Sequence, residues 1–201
     1  MDKNPSDIIF VVGERFYNAL DSQYYITFRQ FIVATQEPST EHPGVPLYSP
    51  GQGLAEDERQ SVHNYLWEAA PHLAMPKYLR SLPKSHLHKN YQENVLITEL
   101  DELSKNDYRS ELVIHNDNEL LQDHLTGSHL PGMIFVEATR QLSIAAWSCY
   151  ENSPAHEIAM LINDIHCEYH QFAFPFQTDI HASDYEGRCE FLQNGYSFHS
   201  K

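Results

Sequence analysis

The stretch Met133–Tyr150 constrains this chain more than any other: it holds neither glycine nor proline, and its apolar residues point in nearly every direction. On a helical period Ile134, Phe135, Ala138, Leu142, Ala145, Ala146 and Cys149 cover much of the circumference rather than one stripe. A helix of that composition is expected to be buried on most sides, so other elements must be arranged around it. Yet Glu137, Arg140 and Gln141 interrupt it. At i, i+3 and i+4 these three side chains share a face, and ionisable groups in an apolar setting are costly unless paired or put to use. Either Glu137 and Arg140 form an ion pair that only satisfies itself, or they mark a polar site on the N-terminal half of the helix. Backbone N–H groups there can polarise a carbonyl. The second reading is the expectation.

The elements around this helix follow from local signals. Ile8–Val12 is β-rich and ends at Gly13, which predicts a strand; Gly13–Phe16 lacks the further glycines of a dinucleotide loop. Thr27–Thr35 fits helix or strand. Glu37–Gly53 carries four prolines and three glycines and reads as a loop. A helix is predicted over Glu56–Ala69, with acidic residues in its first turn and Pro71 beyond its end. Pro76 and Pro83 bracket an irregular connector. Asn94–Leu103 and Tyr108–Ile114 alternate in polarity about Lys105-Asn106-Asp107 and predict a hairpin. A turn-rich stretch, Asn116–Gly132, leads into the helix. Strands are expected over Ala159–Phe172, Gln177–Tyr185 and Arg188–Phe198, the last broken by an Asn194-Gly195 turn.

Two strands, one buried helix and three more strands predict an α+β hotdog fold, an antiparallel sheet wrapped around one long central helix. Residues 1–85 are then an N-terminal α/β extension of mixed strand, loop and helix, and residues 86–201 the hotdog domain.

The formal charge of −15 argues against nucleic acid or an anionic membrane as partner. The charge is uneven, however. No acidic residue lies between Glu68 and Glu93, while Lys77, Arg80, Lys84, Lys89, His72, His86 and His88 fall in that gap. This segment reads as a solvated connector or as a docking patch for coenzyme A phosphates or an acidic carrier protein. The N-terminus lacks the basic region and long apolar run of a secretory signal, and Cys149, Cys167 and Cys189 have no C-x-x-C pairing. A cytoplasmic protein with reduced, mostly buried thiols is expected. Close histidine pairs occur, but no C-x-x-C or H-E-x-x-H frame supports a metal site, and none is expected.

The segment from Asp123 to Gln141 reads DHLTGSHLPGMIFVEATRQ. It resembles the central motif of the A-factor biosynthesis hotdog family, whose helix bears E-A-x-R-Q, here Glu137-Ala138-Thr139-Arg140-Gln141. The resemblance extends to His88-Lys89 and to Asn94–Thr98, and more weakly to Val11–Phe16 and Gly51-Gln52-Gly53-Leu54, so it covers most of the chain. The same segment is also similar to the β-hydroxyacyl-carrier-protein dehydratases, but His124-Leu125-Thr126-Gly127 stands where they carry H-F-P-G, and Arg140 fits only the A-factor family. That resemblance implies transfer of a β-ketoacyl group from a carrier thioester to a hydroxyl of a three-carbon phosphate, on the way to butyrolactone signals. It implies Glu137 and Arg140 as catalytic residues; His124 is expected beside them as a catalytic or substrate-orienting group, and Gln141, Gly132, His129, His88 and Lys89 are expected to bind substrate. Glu137 is expected to act as general base on the acceptor hydroxyl, the more so if burial raises its pKa, and Arg140 to hold an acceptor phosphate or orient Glu137. No cofactor is expected beyond phosphopantetheine or coenzyme A as part of the substrate. The partners expected are an acyl carrier protein or coenzyme A thioester, a small hydroxylated acceptor, and a second copy of the chain, because family members with two hotdog repeats hold in one chain what this one carries once. A dehydratase, a thioesterase and a non-catalytic acyl- or lactone-binding module are the alternatives.

Overall fold

The computed structural model describes residues 8–17, 24–36, 46–71, 78–105, 107–122, 129–151, 154, 157, 159, 167–169, 172–183, 188–193 and 196–200. The chain opens with a three-stranded parallel sheet of order β2-β1-β3, formed by β1 (Ile8–Val12), β2 (Tyr25–Thr27) and β3 (Leu47–Pro50). A short helix, α1 (Glu14–Tyr17), follows β1. Thr27 then ends β2 and starts α2 (Phe28–Gln36) through a capping box: its hydroxyl accepts the Gln30 N–H at 3.3 Å, and the Gln30 side chain accepts the Thr27 N–H at 2.8 Å. This reciprocal pair resolves the segment in favour of helix. Helix α3 spans Glu56–Ala69 as its local signals predict, with the Ala55 N–H donated to Glu58.

The loop expected over Glu37–Gly53 is corrected in its described part, residues 46–53; residues 37–45 lie outside the described residues. Leu47–Pro50 is a fully buried strand, not loop. It pairs with β1 alone among the described residues, and a proline that cannot donate to a ladder is tolerated on such an edge.

The second sheet is antiparallel with order β4-β5-β6-β7-β8, from β4 (Asp101–Ser104), β5 (Asp107–Glu111), β6 (Asp179–Ser183), β7 (Arg188–Gln193) and β8 (Tyr196–Ser200). Its first hairpin turns between Ser104 and Asp107 as expected. The strand expected from Asn94, however, joins the ladder only from Asp101. Gln92–Asn94 is a 3-10 turn instead, and Ile97 and Thr98 make isolated bridges to Leu112 and Ser81. The turn-rich stretch contains the short helix α4 (Glu119–Gln122), and most of the strand expected over Ala159–Phe172 lies outside the described residues. Between β5 and β6 runs α5 (Gly132–Glu151), a single helix of 20 residues.

Ile134, Phe135, Ala138, Leu142 and Ala145 of α5 pack in one cluster with Leu96, Ile97, Leu112, Ile114 and Ile180. Val12, Phe16 and Tyr25 of the N-terminal part belong to the same cluster. Met133 and Trp147, by contrast, stand 59% and 48% exposed on one side of α5, and Cys149, on another side, is exposed too.

Gln52 fastens the N-terminal part to the rest. Its buried amide donates to the Leu112 and Phe176 carbonyls at 3.0 and 2.9 Å and accepts the Ile114 N–H at 2.9 Å. The glycines beside it serve the same close approach. A Cβ on Gly13 would collide with the Gly53 carbonyl, and Gly53 itself has φ +87°, where a side chain is strained. The two sequence features Val11–Phe16 and Gly51–Leu54 are thus two sides of one contact.

Candidate functional site

The site is built on the second turn of α5. The Arg140 guanidinium grips Glu137 in a fork, with Nε to Oε2 at 2.8 Å and Nη2 to Oε1 at 2.7 Å. Oε1 also takes the Lys89 ammonium at 2.6 Å and the Gln141 amide at 3.0 Å. Arg140 and Gln141 reach Glu137 because three- and four-residue spacings share a helix face. Lys89 arrives from elsewhere. The 3-10 turn Lys84–Leu87 ends in His88 with φ 57° and ψ 40°, the one non-glycine residue in the left-handed region among those described. That reversal lets the Lys89 N–H close back on the Lys84 carbonyl at 3.0 Å and sends the Lys89 side chain towards α5. Arg140 also donates to the Leu87 carbonyl at 3.3 Å, which ties the turn down.

Three donors on one carboxylate decide its electrostatics. Burial by itself raises the Glu137 carboxyl, but the hydrogen bonds from Arg140, Lys89 and Gln141 outweigh it and hold the group at about 2. The expectation of a raised pKa is therefore corrected: Glu137 is ionised throughout the neutral range and is a weak base. Arg140 is correspondingly pushed up by its bond to Glu137.

Gln141 is wholly buried. Besides Glu137 its amide donates to the Asn94 carbonyl at 2.9 Å and accepts the Leu96 N–H at 2.8 Å. It thereby stands in for a neighbouring strand where Asn94–Leu96 leaves the ladder. It supports the site from behind rather than lining it. In front lies a cavity of about 180 Å³ with Lys89, Glu137, Met133, Val136, Asn94 and Asn118 in its walls.

The other expected residues are placed as follows. Gly132 opens α5; its carbonyl accepts the Tyr169 hydroxyl at 2.9 Å, and a Cβ there would press on the Tyr169 ring at 3.0 Å, so its smallness makes room for that side chain. His129 packs on Phe172 with ring centroids 4.9 Å apart. His88 is exposed beside the cluster. His124 lies outside the described residues, as does the whole Asp123–Ser128 segment. Among the described residues no group of His, Cys, Asp or Glu converges to hold a metal ion, and no helix is long and apolar enough to cross a membrane.

Sequence reasoning missed a second buried charge cluster. Arg59 of α3 is 6% exposed and bonds Glu111 at 3.1 Å and the Leu79 carbonyl at 2.6 Å, with its guanidinium 4.6 Å above the Tyr78 ring. Burial pushes the Glu111 carboxyl up to about 7 against the pull of Arg59, with the nearby Asp179 carboxylate adding to the rise. Arg59 and Glu111 are far apart in sequence, and no local pattern joins them.

A mixed helix-and-sheet chain whose long helix carries a partly buried Glu-Arg-Gln face is consistent with the hotdog class of domains. The family model of the A-factor biosynthesis hotdog domain matches residues 73–177, just over half the chain, and the chain belongs to that family. No curated protein sequence matches it. Family membership points to acyl handling connected with A-factor biosynthesis.

Proposed function

We propose that this protein is an acyltransferase of the A-factor type, moving a β-ketoacyl group from a carrier-protein or coenzyme A thioester to the hydroxyl of a small acceptor, in the synthesis of a butyrolactone-like signal or secondary metabolite. The observation that carries the reading is the Glu137 carboxylate, ionised at neutral pH, holding Arg140 and Lys89 beside a cavity. When the acceptor oxygen attacks the thioester carbon, a C–O bond forms and negative charge gathers on the carbonyl oxygen. The N–H groups of Arg140 and Lys89 that Glu137 and Leu87 do not take are, among the described residues, suited to that charge, and donors fixed beforehand stabilise it without reorganisation. The C–S bond then breaks and the thiol leaves with the proton that the acceptor hydroxyl loses. Glu137, held at about 2, positions the two cations; His124, on the segment leading into α5, is the proposed carrier of the proton. His88 and His129 flank the substrate path in this reading.

The same observation speaks against the dehydratase alternative, which needs a protonated acid on the helix to deliver a proton to a leaving hydroxyl. We propose further that the β4–β8 sheet wraps α5 as the central helix, and that two copies pair in the cytoplasm. The exposed Met133 and Trp147 and the outer position of β4 in the sheet support this pairing. Purified protein mixed with a β-ketoacyl carrier thioester and dihydroxyacetone phosphate tests the main claim. An ester product supports it. Free β-keto acid alone indicates a thioesterase, and saturable binding without product indicates a binding module; either overturns the transferase reading.

A further inference from the structure

A second cavity of about 480 Å³ lies between α3, the connector before the Lys84–Leu87 turn, and the segments around Val95 and Val113. Its size falls within the roughly 300–1,000 Å³ of small-molecule sites, which the cavity at Glu137 does not reach. Leu54, Pro83, Val95 and Val113 supply apolar walls. The charged lining cancels: Arg59 and Arg80 face Glu56 and Glu93. Arg59 is already committed to Glu111 and the Leu79 carbonyl, and Glu56 accepts the Ser81 and Tyr78 hydroxyls at 2.7 and 2.9 Å. Such a lining does not select an anion. It suits a neutral, largely apolar group lying along the Leu54, Pro83, Val95 and Val113 walls.

The two cavities share a wall. Gln92, Glu93 and Val95 line the larger and Asn94 the smaller, so the Gln92–Asn94 turn stands between them. That turn is pinned by the Asn118 amide to the Glu93 carbonyl at 2.9 Å, by the Glu119 N–H to the Asn94 side chain at 3.0 Å, and by Gln141. We propose that the larger cavity takes the acyl chain of the thioester, whose carbonyl end reaches the Glu137–Arg140–Lys89 cluster past this turn. The inference rests on the acyl-transfer reading and names the pocket that sets chain-length preference.

The test uses β-ketoacyl pantetheine analogues with an unreactive amide in place of the thioester, in chains of four to ten carbons, titrated by calorimetry. Affinity should grow about four-fold per methylene until the cavity is full. Val113→Phe, which fills it, should flatten that dependence, whereas Glu137→Gln should leave the slope intact. Should Val113→Phe fail to fold, Pro83→Trp at the exposed edge should report the chain by a blue shift in emission, growing with chain length. A slope unchanged by Val113→Phe, or a silent Pro83→Trp, overturns the proposal. A slope lost in Glu137→Gln places the chain in the smaller cavity and also overturns it, while leaving acyl transfer standing. Chain-dependent binding with both expected effects but no ester from the reactive thioester leaves the pocket standing and removes the transferase.

Discussion

Replacing Glu137 by Gln keeps the shape of the site and removes the charge on which it is organised. The carboxyl drops from an ordinary 4.5 to about 2 on folding, and at 1.36 kcal/mol per unit this sets a ceiling of about 3 kcal/mol. Lys89 and Arg140 are partly in water, with side chains 22% and 26% exposed, so screening reduces the contribution to about 1–2 kcal/mol. For a chain of this length that is a fall in Tm of roughly 2–8 °C at pH 7. The sign with pH follows from the depressed folded value. The contribution is fully present above about 4.5 and is lost as pH falls towards 2, so the wild-type advantage over Glu137→Gln should shrink in urea titrations at pH 7, 4.5 and 3. Turnover in the ester-forming assay should fall about 10²-fold or more, because the amide no longer holds Lys89 in place. Since Glu137 acts through its partners, Lys89→Ala should cost a similar factor, and the double variant little more than either single one. Turnover within three-fold of wild type, or a stability gap as wide at pH 3 as at pH 7, would refute the reasoning.

The Glu111 carboxyl provides the opposite sign. Raised to about 7 by burial and by Asp179 despite Arg59, it contributes stability fully below about 4.5 that is lost as pH rises through 7, by at most about 3 kcal/mol. Urea midpoints should therefore fall between pH 5 and 8 in the wild type and fall less in Glu111→Gln. Gln141→Leu strands the Asn94 carbonyl and the Leu96 N–H without partners, at about 1–3 kcal/mol each. Its unfolding free energy at pH 7 should drop by roughly 2–6 kcal/mol, and a loss below 1 kcal/mol would mean that water or a backbone shift replaces the amide.

What was legible in the sequence was what is decided within a few residues. Helix α3 begins and ends where its acidic first turn and Pro71 put it, and the β4–β5 hairpin closes where Lys105-Asn106-Asp107 is turn-forming. Helix α5 follows from the absence of breakers. Strand β3 was hidden because its prolines speak for a loop, and only its edge position in the sheet makes Pro50 acceptable. The Asn94–Leu100 segment alternates like a strand, but its partners are a glutamine side chain and isolated bridges, which no polarity pattern encodes. The Arg59–Glu111 pair is a tertiary event.

The E-A-x-R-Q motif shows that side chains placed together by spacing can still differ in electrostatics from what burial alone suggests. Its spacing puts Glu137, Arg140 and Gln141 on one face, and that much needs only the helical period. From burial alone one then expects a raised carboxyl. The outcome depends instead on how many donors converge, and the sequence displays two of three; the third, Lys89, comes through the left-handed turn at His88. The remaining letters have physical reasons as well. Ala138 is wholly buried in the main cluster, where a larger side chain would have to displace its neighbours. Gln141 must be an amide because it donates to a carbonyl and a carboxylate while accepting a backbone N–H, and no acid or amine offers that combination in one side chain. Glutamate at 137 and glutamine at 141 are therefore not interchangeable polar residues. The first needs its charge to hold two cations at a cavity, and the second needs to be neutral to repair a strand.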